Sequence, residues 1–547
     1  MHSNHGFILR ALLAASIVIA TGCASVQRGT VPAYVPSRDV VQVSGGSLSA
    51  AADSPAALRA FTGIPFAAPP LGDLRWKAPQ PVIPWRGVRR SDSFASACMM
   101  EVRAGSGPHS ILNQAEVPQS EDCLYLNVWT GAAAPSEKRP VMMFLYGGGY
   151  RSGAGSLPNY DGTGLASKGA VVVTMNYRVG ALGFLGHPAL SAESPQKVSG
   201  NYALLDAIAA LQWIQQNIAQ FGGDANNVTL YSQSAGAGLA SVLLASPLAK
   251  GIFHRMMLSS FGSWPDDADT PSLAQAEAAG AAYADKLGAP SLAALRAKLP
   301  QAIMAGDGLI RGPIVDGYVM LDQLDRLFAR GLVNDVPLLA GWNADEGTSY
   351  PPFATDLAGY EATANKRFGA YAAQFKQVYP ATSDAEVQTM AYGPFRDGTF
   401  AWQAWTIARA HAALKKSKTY LYFFNRRPPY FSDQKFDGQD PPNKFGAFHT
   451  LEQPYFYNNL DWSAPPRPYT AIDRHVADVA SNYLINFARS GNPNGDSLTG
   501  WPVFMSAGSQ VMVIGDTIAP GAAPFQPALS FFDSFNGAKL GRPLPFQ

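Results

Sequence analysis

The chain has 547 residues, with 41 Lys and Arg against 40 Asp and Glu, so its formal net charge at pH 7 is +1. That balance excludes the basic excess of nucleic-acid-binding proteins, and 47% hydrophobic residues with 11% aromatics exclude a disordered chain. Only 15% of residues are charged, and 52 glycines and 42 prolines punctuate the sequence, the profile of a large, loop-rich globular enzyme or binding protein.

Residues 1–22 read as an export signal of the lipoprotein type. Arg10 supplies the positive start, and Ala11 to Ala20 form an apolar run too short to span a bilayer. The run closes on Ala20-Thr21-Gly22-Cys23. Small residues ahead of a cysteine resemble the lipobox of bacterial lipoproteins, where that cysteine is acylated and becomes the new N-terminus. Ala20 stands where those proteins prefer leucine. The resemblance implies a lipidated Cys23, a tether over 23–40, and an exported cell-envelope protein that meets the membrane only through its lipid. Ordinary cleavage at the small residues would instead release a secreted protein. Of the three cysteines, Cys98 and Cys123 then remain. They are an even pair that an oxidising compartment can join, or else two buried thiols.

No internal repeat, charge block or clean linker divides residues 41–547. Val141-Met142-Met143-Phe144-Leu145-Tyr146 predicts a strand that stops at three glycines. Val171 to Tyr177 is a β-branched run of the kind buried on both faces. Residues 202–220 carry Leu204, Leu205, Ile208, Leu211, Ile214 and Ile218 at helical spacing, and Gly222-Gly223 stop the helix. A strand at Val228 to Tyr231 and a small-residue helix from Ala235 follow, with further strands expected at 336–341, 419–425 and 510–514. Strands alternating with helices predict an α/β fold with a large, mostly parallel sheet and right-handed crossovers. Chemistry in such sheets sits at the carboxyl ends of the strands.

One strand end draws attention. Tyr231-Ser232-Gln233-Ser234-Ala235-Gly236 runs from strand through a sharp turn into a helix. A nucleophile elbow, G-x-S-x-G, has this build, because its serine sits on a strained turn where strand and helix crowd together. Here Ser232 replaces the first glycine and is still small. The helix start beyond Ser234 favours developing negative charge. A serine hydroxyl also needs a base, an acid that orients the base, and backbone donors for the oxyanion. Gly147-Gly148-Gly149, straight after a strand, suits the last role. No Lys-Ser or Lys-Thr follows these glycines, as a phosphate-binding loop would require. His449 with Glu452 lacks the further ligands of a metal site, so no metal is implied.

The chain resembles the type-B carboxylesterase and cholinesterase family of α/β-hydrolases. The resemblance rests on Ser120 to Val128, Tyr146 to Tyr150, Asn176 to Leu185, Asn217 to Asp224, the elbow, Pro313 to Gly317, Asp345-Glu346-Gly347, Gly446 to His449, Asn486 to Asn494 and Trp501-Pro502. It implies one large α/β-hydrolase catalytic domain over 41–547, no cofactor, and a small-molecule carboxylic ester as substrate. Carried over by position, Ser234 becomes the nucleophile, His449 the base and then the acid, and Glu346 the orienting acid, with neighbouring Asp345 the alternative. Gly148, Gly149 and Ala235 would give the oxyanion N–H groups, and Cys98–Cys123 would match a family disulfide.

Three departures bear on function. Ser232 replaces glycine in the elbow. Gln233 stands where glutamate is common, which removes a negative charge beside the base and weakens support for an imidazolium. Asn113 stands where cholinesterases place a tryptophan for quaternary ammonium groups, so choline specificity is not expected. Trp264, Tyr350, Phe353, Trp402, Trp405 and Phe445 are candidates to line a gorge. The family also holds members that lost the triad and bind partners, and the triad alone does not separate ester from amide, carbamate or lactone hydrolysis. All three triad positions are filled here, which favours an ester hydrolase over a binding or adhesion module.

Overall fold

In the computed structural model the described residues are 40–51, 58–101, 117–305, 312–431, 445–462, 467–505 and 508–546. The lipobox cysteine, the tether up to residue 39 and Asn113 lie outside them. Every described element belongs to the unit over 38–547.

A ten-stranded sheet carries the fold. Its strands are β1 (Arg59–Pro65), β2 (Tyr125–Thr130), β3 (Arg139–Leu145), β4 (Val171–Met175), β5 (Gly223–Gln233), β6 (Arg255–Ser259), β7 (Leu338–Asn343), β8 (Thr419–Phe424), β9 (Val511–Ile514) and β10 (Ile518–Gly521). Their spatial order is β10-β9-β8-β7-β6-β5-β3-β4-β2-β1. Every pairing from β4 and β3 through to β8 and β9 is parallel, while β1 with β2, β2 with β4 and β9 with β10 are antiparallel. The hydrophobic runs dictate this arrangement. All five residues of β4 and all six of β7 and β8 are buried, as strands covered on both faces require.

The covering helices follow from the same logic. The helices α1 (Tyr202–Asn217) and α2 (Ala235–Leu244) pack on β5, α3 (Trp402–Ala413) on β7 and β8, and α4 (Ala471–Ser490) on β3 and β5. The helix expected over 202–220 ends its regular part at Asn217, and a 3₁₀ turn carries it to Gly222, which adopts φ 76° as a left-handed stop. The 20-residue helix α4 starts at Thr470, which forms a capping box with Asp473, and ends at Gly491. Strands expected at 336–341, 419–425 and 510–514 appear as β7, β8 and β9, displaced by no more than two residues.

Two long-range ties hold the active end of the sheet. Arg178, just beyond β4, makes a buried bidentate pair with Asp206 of α1, and its own N–H donates to the same carboxylate at 3.0 Å. Cys98 and Cys123 are joined by a disulfide. Closing a loop of 25 residues removes unfolded-state freedom worth about 3 kcal/mol in the chain-entropy model.

The helix α2 and the strand β3 approach so closely that Gly236 has no room for a side chain. A Cβ there would lie 2.1 Å from the Leu145 carbonyl oxygen. Gly236→Ala is therefore expected to cost about 1–3 kcal/mol in urea unfolding. Gly500→Ala, at a position with no heavy atom within 4 Å of the added Cβ, should leave stability unchanged and serves as the control.

Candidate active site

Four strand ends converge at the carboxyl edge of the sheet. The strand β5 ends at Gln233, and Ser234 follows at φ 54° and ψ −129°, the strained conformation that an elbow imposes. The turn is held open by its own backbone. Ser234 N–H donates to the Ser259 carbonyl at 2.9 Å, and Gly238 N–H donates to the Ser234 carbonyl at 3.0 Å. Ser232 fits where a glycine is common because its hydroxyl donates to the Met257 carbonyl of β6 at 2.7 Å and leaves no buried group unmet there.

The side chains of Ser234, His449 and Glu346 form one hydrogen-bonded line. His449 Nε2 lies 2.8 Å from Ser234 Oγ, and His449 Nδ1 lies 2.5 Å from Glu346 Oε2. The carboxylate accepts Nδ1–H, which leaves the Nε2 lone pair to accept the serine proton. The second oxygen of Glu346 accepts from the Asn343 N–H at 2.7 Å. Glu346 is fully buried and His449 is 2% exposed, so water does not compete for these bonds. Asp345, the other candidate acid, turns instead to the loop before the histidine. It accepts from Ala447 N–H at 2.8 Å, and its own N–H donates to the Ala447 carbonyl.

The glycine run leaves β3 and lies against Ser234. A Cβ on Gly147 would sit 2.8 Å from the Cβ of Ser234 and 2.5 Å from Gln233 Oε1. Among the described residues no acceptor takes the N–H of Gly148, Gly149 or Ala235. The loop's first residue is fixed by a reciprocal pair. Tyr177 O–H donates to the Tyr146 carbonyl at 2.6 Å, Tyr146 O–H donates to the Tyr177 carbonyl at 3.1 Å, and the rings stack at 4.2 Å. The segment after the disulfide half Cys98 supports the far side, where Glu101 N–H donates to the Arg151 carbonyl.

The sequence identifies only part of the site's aromatic lining. Trp264, Trp402, Trp405 and Phe445 are core residues, at most 2% exposed. Phe353 packs with Phe368 and Phe375. Tyr350 stands 5.8 Å from the His449 ring. The ring that covers His449 is Phe400, stacked at 4.1 Å, with Phe395 and Tyr350 beside it. Phe400 lies in a π-helical stretch, Arg396–Ala401, whose irregular period hides it from a reading by periodicity. Its one flag is Gly398, where a Cβ would meet the Phe532 ring at 2.6 Å.

Burial disfavours the charged form of both His449 and Glu346, and the hydrogen bonds onto Glu346 from His449 and Asn343 oppose it there. Burial pushes the His449 imidazole down to about 4, against the opposing pull of Glu452. It raises the Glu346 carboxyl, against the Ser260 hydroxyl, the Asn343 amide and the Arg396 charge. Gln233 Nε2 lies 3.3 Å from His449 Nε2 and brings no charge to it.

An elbow serine, a buried histidine and a buried acid brought together at the carboxyl edge of such a sheet are an arrangement that can perform acyl transfer. A family model described as the carboxylesterase family matches residues 37–531. The chain belongs to the carboxylesterase family. It is 38% identical over 481 residues to the fumonisin B1 esterase of Sphingopyxis macrogoltabida, covering 84% of each chain. It is 31% identical over 507 residues to the phenmedipham hydrolase of Pseudarthrobacter oxydans, covering 88% of this chain and 96% of that one. Among solved structures, a PNB esterase superposes with a TM-score of 0.73 at 28% identity, covering 91% of this chain and all of the other. This carboxylesterase thus has the α/β-hydrolase fold, as a single domain with a mostly parallel sheet flanked by helices.

The pH profile tests the histidine. To accept a proton from Ser234, His449 would have to be neutral, and its lowered value moves the protonation edge to more acidic pH. The acid limb of kcat/KM on a neutral ester is expected below 6.5, with activity flat above it and lost as pH falls through it. Gln233→Glu would place a carboxylate beside Nε2, favour the imidazolium and move that limb up by about one unit.

Proposed function

We propose that this carboxylesterase cleaves small carboxylic esters through an acyl-enzyme on Ser234. The observation that carries the reading is the buried line of hydrogen bonds from Glu346 through His449 to Ser234. His449 Nε2 takes the serine proton as Oγ bonds to the ester carbonyl carbon. The N–H groups of Gly148, Gly149 and Ala235 hold the oxyanion that forms. As the tetrahedral intermediate collapses, the bond to the alkoxy oxygen breaks, and His449 returns its proton to the leaving alcohol. Water then repeats the sequence against the acyl-enzyme and releases the acid, while Glu346 keeps the imidazole in the right tautomer throughout. No step calls for a metal or an organic cofactor.

The substrate is a small or xenobiotic or plant-type ester, and the relative named as a fumonisin B1 esterase supports an ester bond as the one cleaved. Neutral Gln233 beside the base fits a substrate without a cationic alcohol. We also propose that the chain is exported, with its signal removed ahead of Cys23 and that cysteine lipidated. Labelling with a palmitate analogue should mark the wild-type chain and not Cys23→Ser. Equal labelling of both would remove the anchor from this reading.

The decisive assay uses p-nitrophenyl esters from acetate to decanoate. A burst of nitrophenol equal to the enzyme present is expected wherever deacylation is slow. Ser234→Ala should lose at least about a thousandfold in kcat. Turnover that survives Ser234→Ala would overturn the mechanism.

A further inference from the structure

Asn343 is the last residue of β7 and is fully buried. Its backbone N–H donates to Glu346 Oε1 at 2.7 Å. Its side-chain amide donates twice. One bond goes to the carbonyl of Phe448, the residue immediately before His449, at 2.9 Å. The other goes to Glu452 Oε2 at 2.5 Å. An amide NH₂ has two protons, and both are used.

Glu452 is a second buried acid, three residues beyond His449 at the start of a short helix, Glu452–Phe456. Its other oxygen accepts from the Gln453 side-chain amide at 2.8 Å. Gln453 Oε1 in turn accepts from the Tyr231 hydroxyl of β5 at 2.6 Å. A continuous set of buried bonds therefore runs from the acid turn, through Asn343, to the histidine loop and on to the strand that ends in the nucleophile. In a dry site each of these bonds is strong, and each unmet partner is costly.

Neither a truncated nor an isosteric acidic side chain meets this demand. Alanine leaves the Phe448 carbonyl and the Glu452 carboxylate without their donor. Aspartate keeps the shape but sets an acceptor against two acceptors.

We propose that Asn343 is a positioning residue of the hydrolytic site: its N–H and its side-chain amide together hold Glu346, the carbonyl before His449 and the second acid Glu452 in one register. This rests on the acyl-enzyme reading given above. Asn343 touches no substrate. It acts by keeping the His449 ring between Glu346 and Ser234, so its loss falls on the chemical step and not on ester binding.

The test compares the full-length protein with Asn343→Ala, Asn343→Asp and the double variant Asn343→Asp/Glu452→Gln. The readouts are kcat and KM on a p-nitrophenyl ester, the rate of Ser234 labelling by an organophosphonate, and Tm. Asn343→Ala is expected to lower kcat and the labelling rate together by about a hundredfold, the scale of a 1 Å misplacement. Its KM should stay within about threefold, since binding is untouched. Asn343→Asp should be impaired at least as far. Adding Glu452→Gln supplies an N–H facing the new carboxylate and should recover about tenfold or more of that loss. Where Asn343→Ala does not fold, as Tm shows, the isosteric pair carries the test. The proposal is overturned if kcat per folded molecule stays within threefold of the parent, if KM bears the loss, or if the double variant is no faster than Asn343→Asp. A parent protein that takes no organophosphonate at Ser234 would instead sink the acyl-enzyme reading itself.

Discussion

A hydrogen bond of 2.8 Å between His449 Nε2 and Ser234 Oγ joins residues 215 apart in sequence, and the rest of the molecule is arranged to keep it. A hydroxyl is a poor nucleophile until a neutral base meets it in a place that water does not reach. The parallel strands meet that requirement by ending at one edge. The strand β5 delivers the serine, β7 the acid, β3 the glycine loop, and the chain beyond β8 the histidine. The serine, the acid and the glycine loop each follow closely on a strand paired on both sides and inherit the rigidity of the sheet, whereas His449, far beyond the end of β8, is held by its bond to Glu346 and by the Asn343 amide on the carbonyl before it.

The close contacts around the elbow follow from the same demand. The φ of 54° at Ser234 is unfavourable for a residue with a side chain, and it persists because surrounding bonds leave no alternative. Gly236 then brings the helix against the Leu145 carbonyl, and Gly147 brings the glycine loop against Ser234. The site is thus dense on its protein side. Its free N–H groups and its histidine are set before substrate arrives, which is the arrangement that lowers reorganisation during the reaction.

Much of this was legible in the residues, for identifiable reasons. The fold class follows from apolar strands alternating with a helical pattern, and those runs match β3, β4, β8 and β9. The start of β5 was not legible. It begins at Gly223, and Gly223-Asp224-Ala225-Asn226-Asn227 reads as a turn. Only pairing of Gly223 with Arg139, ahead of a register shift, makes it strand. The site was legible through motifs that share a local cause. Ser234 was marked by small neighbours at an elbow and Gly148 by its glycine run, whereas His449 and Glu346 depended on family resemblance. Phe400 and Asn343 were not legible. The first lies in a π-helical stretch, and the second contributes through partners about a hundred residues downstream in the chain. Large aromatics proved misleading for the same reason. Tryptophans such as Trp402 and Trp405 fill the core, and nothing local distinguishes that from lining a pocket.

The margins of the sheet have a different consequence. An open sheet exposes two rows of unpaired backbone groups, each a template on which another chain can add a strand. Here one margin is β10, four residues long, with Pro520 within it and so no N–H at that position. The other is β1, whose register against β2 shifts between Phe61 and Ile64. At that irregularity Thr62 N–H is taken by the Ser91 carbonyl, and Thr62 bridges Asp92. A proline stops growth at one end, and a bulge sealed by a neighbouring segment stops it at the other. The large, nearly all-apolar sheet that the chemistry requires therefore terminates itself, and its length does not become a route to fibrous self-association.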